Sequence, residues 1–384
     1  MATNELRSRR YLSLDHWRGL ACLAVLLNHS VWYRTGSAAE RLLADVSLRL
    51  WIGVPVFFVI SGYCISAAAD AHRERAGRPL RTFFARRLRR IYPPYWFVLI
   101  ATMAIVAVVD VAIEGRPLTL HGRFLRPWWY DARQWFGNLT LTEMWRFHVI
   151  PGQKAMILGH AWTLCYEEQF YAIAGILLWL TPRRLFLGAL GVSAAVGAIL
   201  IVTAQTHWNV EGFFFDGSWF EFWFGMMLYY ALNYGTRRVR AATLLLFTAV
   251  AIAAASDPQL LLAVEKNPTQ ATFVASVFAA VALVLRRFDT ALFEARPLKF
   301  FRWCGLMCYS LYLVHLPVAK LLQAGFLRFG MEPAPFASVL VSVPVCLGVA
   351  WLFHLKVERR FLNSPVPASA APRSVKTLTV AAST

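Results

Sequence analysis

His160-Ala161-Trp162-Thr163-Leu164-Cys165-Tyr166-Glu167-Glu168-Gln169-Phe170-Tyr171 opens an apolar run that continues from Ala172 to Leu180. About 20 mostly apolar residues is the length a helix needs to cross the ~30 Å hydrocarbon core of a bilayer. Two adjacent carboxylates, a glutamine and a histidine therefore stand at one end of a segment that can span a membrane. An ionisable group there costs about 3 kcal/mol or more unless it is paired or wetted, so such residues mark function by default.

Working outward, comparable runs recur at 14–33, 47–69, 91–113, 185–204, 219–233, 241–255, 272–285, 303–324 and 336–355. With 160–180 they make ten. The chain is 58% hydrophobic, against ~45–50% in soluble domains. Little remains for a soluble domain once the runs are removed. The expected fold is all-α, a polytopic membrane protein with about ten transmembrane helices. Residues 1–363 form the transmembrane domain, and 364–384, rich in Pro, Ala and Ser, a disordered cytoplasmic tail. Ten spans put both termini on one side. The basic clusters at 7–10, 73–90, 183–184, 237–240, 286–287 and 356–360 then share that side, which the positive-inside rule makes the cytoplasm. The expected location is the inner or plasma membrane, multi-pass. The loop 114–159 carries arginines on the other side, but long loops weigh little in that rule. Its Trp content predicts a short interfacial helix.

Net charge is +18, from 39 Lys and Arg against 21 Asp and Glu. Two readings fit: membrane orientation with attraction to anionic lipid, or an anionic ligand. Nucleic acid is excluded as a partner, because the basic residues form no soluble module. Cysteines at 22, 64, 165, 304, 308 and 346 lie in or at the ends of the runs. Their spacing suits neither a metal site nor a disulfide framework, so free thiols and no metal are expected. Cys304 and Cys308 are spaced to share a helix face.

His29 closes the first run on the outer side. It suits either a general base on a hydroxyl or a hydrogen bond to a neighbouring helix. His160, Thr163 and Glu167 fall on one helix face, with Glu168 pointing elsewhere. That face reads as a catalytic carboxylate orienting a histidine, or as a polar network between helices. Arg86-Arg87-Leu88-Arg89-Arg90 suits phosphate oxygens or membrane anchoring. Arg18 stabilises charge in a pore or pairs with Asp15 one turn away. Ser61-Gly62 lacks the G-x-S-x-G frame of a nucleophile elbow and reads as close helix packing. Tyr309, Tyr312 and His315 recur at a spacing of three.

Taken in order, these pieces resemble the acyltransferase-3 family, integral-membrane acyltransferases of bacteria. Leu14-Asp15-His16-Trp17-Arg18-Gly19-Leu20-Ala21 running on to His29 is similar to its first span, and Val56-Phe57-Phe58-Val59-Ile60-Ser61-Gly62-Tyr63 to its second. Arg87 to Arg90 with Ile91-Tyr92-Pro93, Trp162 to Tyr171, and Gly305 to His315 resemble its later motifs. The resemblance implies transfer of an acyl group, most often acetyl, from cytoplasmic acyl-CoA to a hydroxyl of a sugar-containing acceptor such as a cell-surface glycan. Acetyl-CoA is then a donor substrate rather than a resident cofactor. His29 matches the family's catalytic histidine, and Arg87 and Arg90 its donor-binding arginines. Arg86, Arg89 and Arg18 join them by charge, and Glu167 or Glu168 would support His29. Where the family often has Asp, this chain has Pro55, so another carboxylate, Glu167, Glu168 or Asp45, is expected to substitute. Further expected partners are the lipid bilayer and a second copy of the chain. The alternative reading is a transporter or flippase for an anionic or glycan-like solute.

Overall fold

The computed structural model describes residues 11–73, 80–112, 119–120, 123–124, 126–181, 184–206, 208–257 and 268–362. The tail expected at 364–384 and the basic residues Arg7, Arg9 and Arg10 lie outside the described residues. Regular structure among the described residues is helical, apart from a two-residue antiparallel ladder pairing Thr119–Leu120 with Arg123–Phe124.

Helix α1 (Leu14–Ser30) is followed by α2 (Ala38–Arg49), closed at its N-terminus by a capping box between Ser37 and Glu40. A single 3-10 turn joins α2 to α3 (Gly53–Arg73). Helix α4 (Arg81–Ala112) comes next, then the short α5 (Ala132–Thr140) and α6 (Glu143–Val149). After them run α7 (Trp162–Leu180), α8 (Leu185–Thr206), α9 (Ser218–Asn233), α10 (Arg237–Ala255) and α11 (Pro268–Leu285). The chain then forms the short α12 (Asp289–Glu294) and α13 (Lys299–Leu306), and ends on α14 (Cys308–Arg328) and α15 (Pro335–Lys356).

Among the described residues, seven helical stretches, containing α3, α4, α8, α10, α11, α14 and α15, are long and apolar enough to cross a membrane. The other three expected spans are helices too, but shorter or more polar. Helix α1 has 17 residues, α9 has 16, and α7 has 19 with two adjacent glutamates. Packing explains the division. Helix α1 packs on α3, α13 and α14, α9 on α3 and α11, and α7 on α3. A helix surrounded by others can carry polar side chains on its inward faces. Helices α8 and α10, by contrast, leave Leu187, Leu190, Ile201, Leu245 and Ile252 exposed, the pattern of a lipid-facing surface.

Three expectations change. Helix α4 starts at Arg81, ten residues before the expected 91, because nothing from 81 to 92 breaks a helix; the arginine run is helical and its residues face different ways. The expected span 303–324 is two helices, α13 and α14, broken at Met307, so Cys304 and Cys308 lie on separate helices. The expected interfacial helix in the 114–159 loop is two short ones, α5 and α6. There Arg146 is buried against Glu143, with Nε 2.7 Å from Oε2. It therefore presents no net charge to either membrane face.

Close backbone approach sets the bundle. A Cβ on Gly62 of α3 would lie 2.0 Å from the Phe222 carbonyl oxygen, and one on Gly225 of α9 would lie 1.9 Å from that of Val59. Gly19 of α1 and Gly305 of α13 meet in the same way: their added carbons would lie 1.8 Å from the Phe301 oxygen and 1.7 Å from the Asp15 oxygen. Small residues at helix crossings let backbones touch where lipid supplies no hydrophobic drive. Gly225→Ala is expected to lose about 1–3 kcal/mol by forcing α3 and α9 apart, read as a lower thermal midpoint in detergent. Gly191→Ala, with nothing within 4 Å of the added carbon, is expected to leave the midpoint unchanged.

Candidate active site

Helices α1, α3, α4, α7 and α14 line a cavity of about 150 Å³. Arg18, Arg87, Arg90 and Glu358 line one end, and Val25, Thr163 and Tyr312 the other. Along α1, Arg18 and His29 are eleven residues apart, roughly 16 Å at the helical rise.

The phase of α4 decides the arginine end. Arg87 and Arg90, three apart, share the face that lines the cavity, while Arg86 and Arg89 are exposed and outside the lining. Arg87 is only 8% exposed. Its Nη2 meets Glu167 Oε2 at 2.8 Å and its Nε meets Glu168 Oε1 at 3.3 Å. Its guanidinium carbon sits 4.1 Å from the Tyr171 ring centroid, a cation–π contact. The Ser61 hydroxyl donates to Glu167 Oε1 at 3.0 Å, so Ser61 does more than pack. Glu168, expected to point away from Glu167, is reached because the planar guanidinium presents donors to both carboxylates. Arg90 Nε is buried with no hydrogen-bond partner among the described residues. Arg18 both pairs with Asp15 at 3.0 Å and lines the cavity, donating to Cys64 Sγ at 2.9 Å.

Sequence reasoning missed Glu358. It is 2% exposed, accepts the Ser310 hydroxyl, pairs with His354 at 2.8 Å and lines the arginine end. The available signal was the spacing of four between His354 and Glu358. The remaining polar residues of the α7 motif fasten a loop. Tyr166 donates to Asp216 and accepts from the Gly212 amide at 2.8 Å. The Gln169 amide donates to the Gly212 carbonyl at 2.8 Å and accepts from the Phe214 amide at 3.0 Å.

Behind Tyr312, outside the cavity lining, three histidines from separate segments come together. The rings of His29 and His315 have centroids 5.1 Å apart, and those of His315 and His160 5.0 Å. Tyr312 packs edge-on against His160 at 5.1 Å and donates to its carbonyl at 2.6 Å. The Thr163 hydroxyl in turn donates to Tyr312 at 2.9 Å. Tyr309, one turn earlier on α14, donates to the Ile91 carbonyl at 2.8 Å. His160 belongs to a 3-10 turn, Gly159–Ala161, ahead of α7. The expected single helical face of His160, Thr163 and Glu167 is therefore split: Thr163 and Glu167 line the cavity, and Tyr312 holds the His160 segment.

His29 Nδ1 lies 2.9 Å from the Val25 carbonyl oxygen. A carbonyl only accepts, so Nδ1 carries the hydrogen and Nε2 of the neutral ring is a basic lone pair. The expected supporting carboxylates are engaged elsewhere: Glu167 and Glu168 with Arg87, and Asp45 with Arg34. The backbone carbonyl of Val25 fixes the tautomer instead. The arrangement sets Arg18, Arg87 and Arg90 in the cavity lining and the His29 imidazole one turn beyond the lining residue Val25.

Arg87→Gln is expected to cost about 2–4 kcal/mol, because two partly buried carboxylates lose their counter-charge. Adding Glu167→Gln and Glu168→Gln is expected to restore most of that loss. Thermal unfolding in detergent checks both.

Residues 11–355 match the acyltransferase domain that defines the acyltransferase-3 family. A protein of Komagataeibacter xylinus named as a membrane-bound transacylase, BcsY, is 29% identical over 391 residues, covering 95% of this chain and 86% of its own. The O-acetyltransferase OatA of Staphylococcus aureus is 26% identical over 186 residues, 47% of this chain and 27% of its own. Another Staphylococcus aureus protein, from strain COL and named as an O-acetyltransferase, is 28% identical over 179 residues, 45% of this chain and 25% of its own. No solved structure matches the chain. The match runs from the residues before α1 into α15 and takes in the cavity-lining residues except Glu358; the chain belongs to the acyltransferase-3 family of membrane acyltransferases.

Proposed function

We propose that this protein moves an acyl group, acetyl first, from cytoplasmic acyl-CoA to a hydroxyl of a sugar-containing acceptor on the outer side of the membrane. The observation that carries this reading is the single cavity that joins Arg18 and Arg90 to the Thr163–Tyr312 pair, against which the histidines pack. In this reading ten helices cross the inner or plasma membrane: α1, α3, α4, α7, α8, α9, α10, α11, α14 and α15. Both termini are cytoplasmic, and residues 1–363 act as one domain. The arginine end then opens to the cytoplasm and the histidine end to the outside.

Phosphates of the donor meet Arg18 and Arg90, the latter with an Nε that has no partner among the described residues. The extended pantetheine arm carries the thioester along the cavity toward His29. His29 Nε2 takes the proton of the acceptor hydroxyl. The hydroxyl oxygen forms its bond to the thioester carbonyl carbon, the carbon–sulfur bond breaks, and the departing thiolate receives the proton from His29. Arg87, Glu167 and Glu168 position the helices around this path, the two carboxylates acting through Arg87 rather than on His29. Arg86 and Arg89 serve the membrane surface. Relatives named as a transacylase and O-acetyltransferases support chemistry over transport.

Calorimetry with acetyl-CoA tests the donor site in detergent. Arg90→Ala is expected to weaken binding about tenfold or more, as loss of a charge-assisted contact to phosphate would. Arg86→Ala and Arg89→Ala are expected to change it less than about threefold. Failure of the folded wild type to bind acetyl-CoA or longer acyl-CoAs would overturn the proposal. His29→Ala is expected to bind the donor normally and to lose transfer about 100-fold or more, measured by mass spectrometry on cello- and chito-oligosaccharide acceptors.

A further inference from the structure

His315 raises a question that His29 alone does not answer. Its side chain is 2% exposed. Its Nδ1 lies 2.7 Å from the Tyr312 carbonyl oxygen and 3.1 Å from that of Leu311. Nδ1 therefore carries the hydrogen, and Nε2 is a lone pair turned away from those carbonyls. That Nε2 is buried and has no hydrogen-bond partner among the described residues. Native proteins rarely leave a buried acceptor empty, and an instance asks for a reason.

The neighbouring ring supplies one. His29 stands 5.1 Å from His315, centroid to centroid. Two imidazoles joined by an N–H···N bond of ordinary length have centroids roughly 5 Å apart. In the neutral pair both Nδ1–H groups are spent on backbone carbonyls, one from Val25 and one from Tyr312. The two Nε2 lone pairs then have no hydrogen between them. A proton arriving at His29 Nε2 supplies it.

We propose that His315 is the positioning residue for His29: its Nε2 accepts the N–H that His29 gains on deprotonating the acceptor hydroxyl. This rests on the reading of His29 as the base. The proton leaves the acceptor oxygen, is held between the two Nε2 atoms, and passes to the CoA thiolate as the carbon–sulfur bond breaks. No electron transfer and no further reactant is needed. The role is that of an orienting carboxylate, taken here by a neutral acceptor. With Pro55 in place of the family's Asp, and with Glu167, Glu168 and Asp45 held by arginines, His315 supplies the acceptor. The titratable groups around His315 are His29 from α1, His160 ahead of α7, Tyr312 on its own helix, and Cys346 on α15, whose thiol donates to the His315 carbonyl at 3.5 Å. None of these is a carboxylate.

Two substitutions separate this role from a structural one. His315→Asn keeps an N–H near Nδ1, able to anchor to the Tyr312 carbonyl, and removes the acceptor. His315→Gln loses the anchor and places an amide oxygen near the position of Nε2. Transfer is measured on the full-length protein as thiol release from acetyl-CoA, with cello- or chito-oligosaccharide as acceptor, whichever is acylated faster. His315→Asn is expected to lower kcat about 30-fold or more, the scale of a proton-transfer defect, with acceptor KM and acetyl-CoA binding within about twofold. His315→Gln is expected to stay within about fivefold of wild type in kcat. In a His29→Ala background, His315→Asn is expected to have no further effect. The opposite order, Asn active and Gln inactive, would mean that His315 only anchors α14 and would overturn the proposal. So would a His315→Gln variant that binds acetyl-CoA normally and is inactive. His29→Ala with near-normal turnover would sink the base assignment itself, whereas an inactive His29→Ala beside a fully active His315→Asn would sink this inference alone.

Discussion

The guanidinium of Arg87, set between Glu167 and Glu168, is the interaction on which the rest depends. Two adjacent carboxylates inside a helical bundle would be untenable alone. One buried arginine meets both, so α4 is fixed to α7 across the cavity. Ser61 joins from α3 by donating to Glu167. Three helices are thereby held at one place, and their phases follow. With Arg87 turned inward, Arg90 three residues on must also face the cavity. With Glu167 inward, Thr163 one turn away reaches Tyr312, and Tyr312 gathers His160 and His315. The placement of Arg90 and of the Thr163–Tyr312 pair follows from the same contact.

Packing against lipid follows a different rule from packing inside. The helices that look most like membrane spans, such as α8 and α10, are the ones that face outward. Helices α1, α7 and α9 are shorter or more polar, and each packs on α3 in the interior of the bundle. Their close approach relies on bare backbone at Gly19, Gly62, Gly225 and Gly305. A site with an arginine–carboxylate network and three imidazoles is affordable within such a bundle only because helices carrying no polar chemistry shield it.

Much of this was legible in the chain. The apolar runs marked the helices, the Trp162–Tyr171 motif marked the centre, and the acyltransferase resemblance marked the activity. The partners were less legible. Charge alone did not rank the arginine run; the family resemblance singled out Arg87 and Arg90, and the phase of a helix that starts at Arg81 turns those two inward and leaves Arg86 and Arg89 exposed. Glu168 read as pointing elsewhere, because spacing along α7 does not reveal an arginine broad enough to meet two neighbours. His315 read only as the last member of a row with Tyr309 and Tyr312, since its companions His29 and His160 lie far away in sequence. Glu358 sat within a cluster of charges that looked like an anchor. In each case the tertiary contact decided the residue's place in the site.

The central claim is that one site joins a donor from the cytoplasm to an acceptor outside. Sealed inverted membrane vesicles test it most directly, with radiolabelled acetyl-CoA added outside, where the cytoplasmic face is, and acceptor oligosaccharide enclosed within. Label on the enclosed oligosaccharide is the predicted result. Label confined to oligosaccharide added on the same side as acetyl-CoA, with none inside, would contradict it.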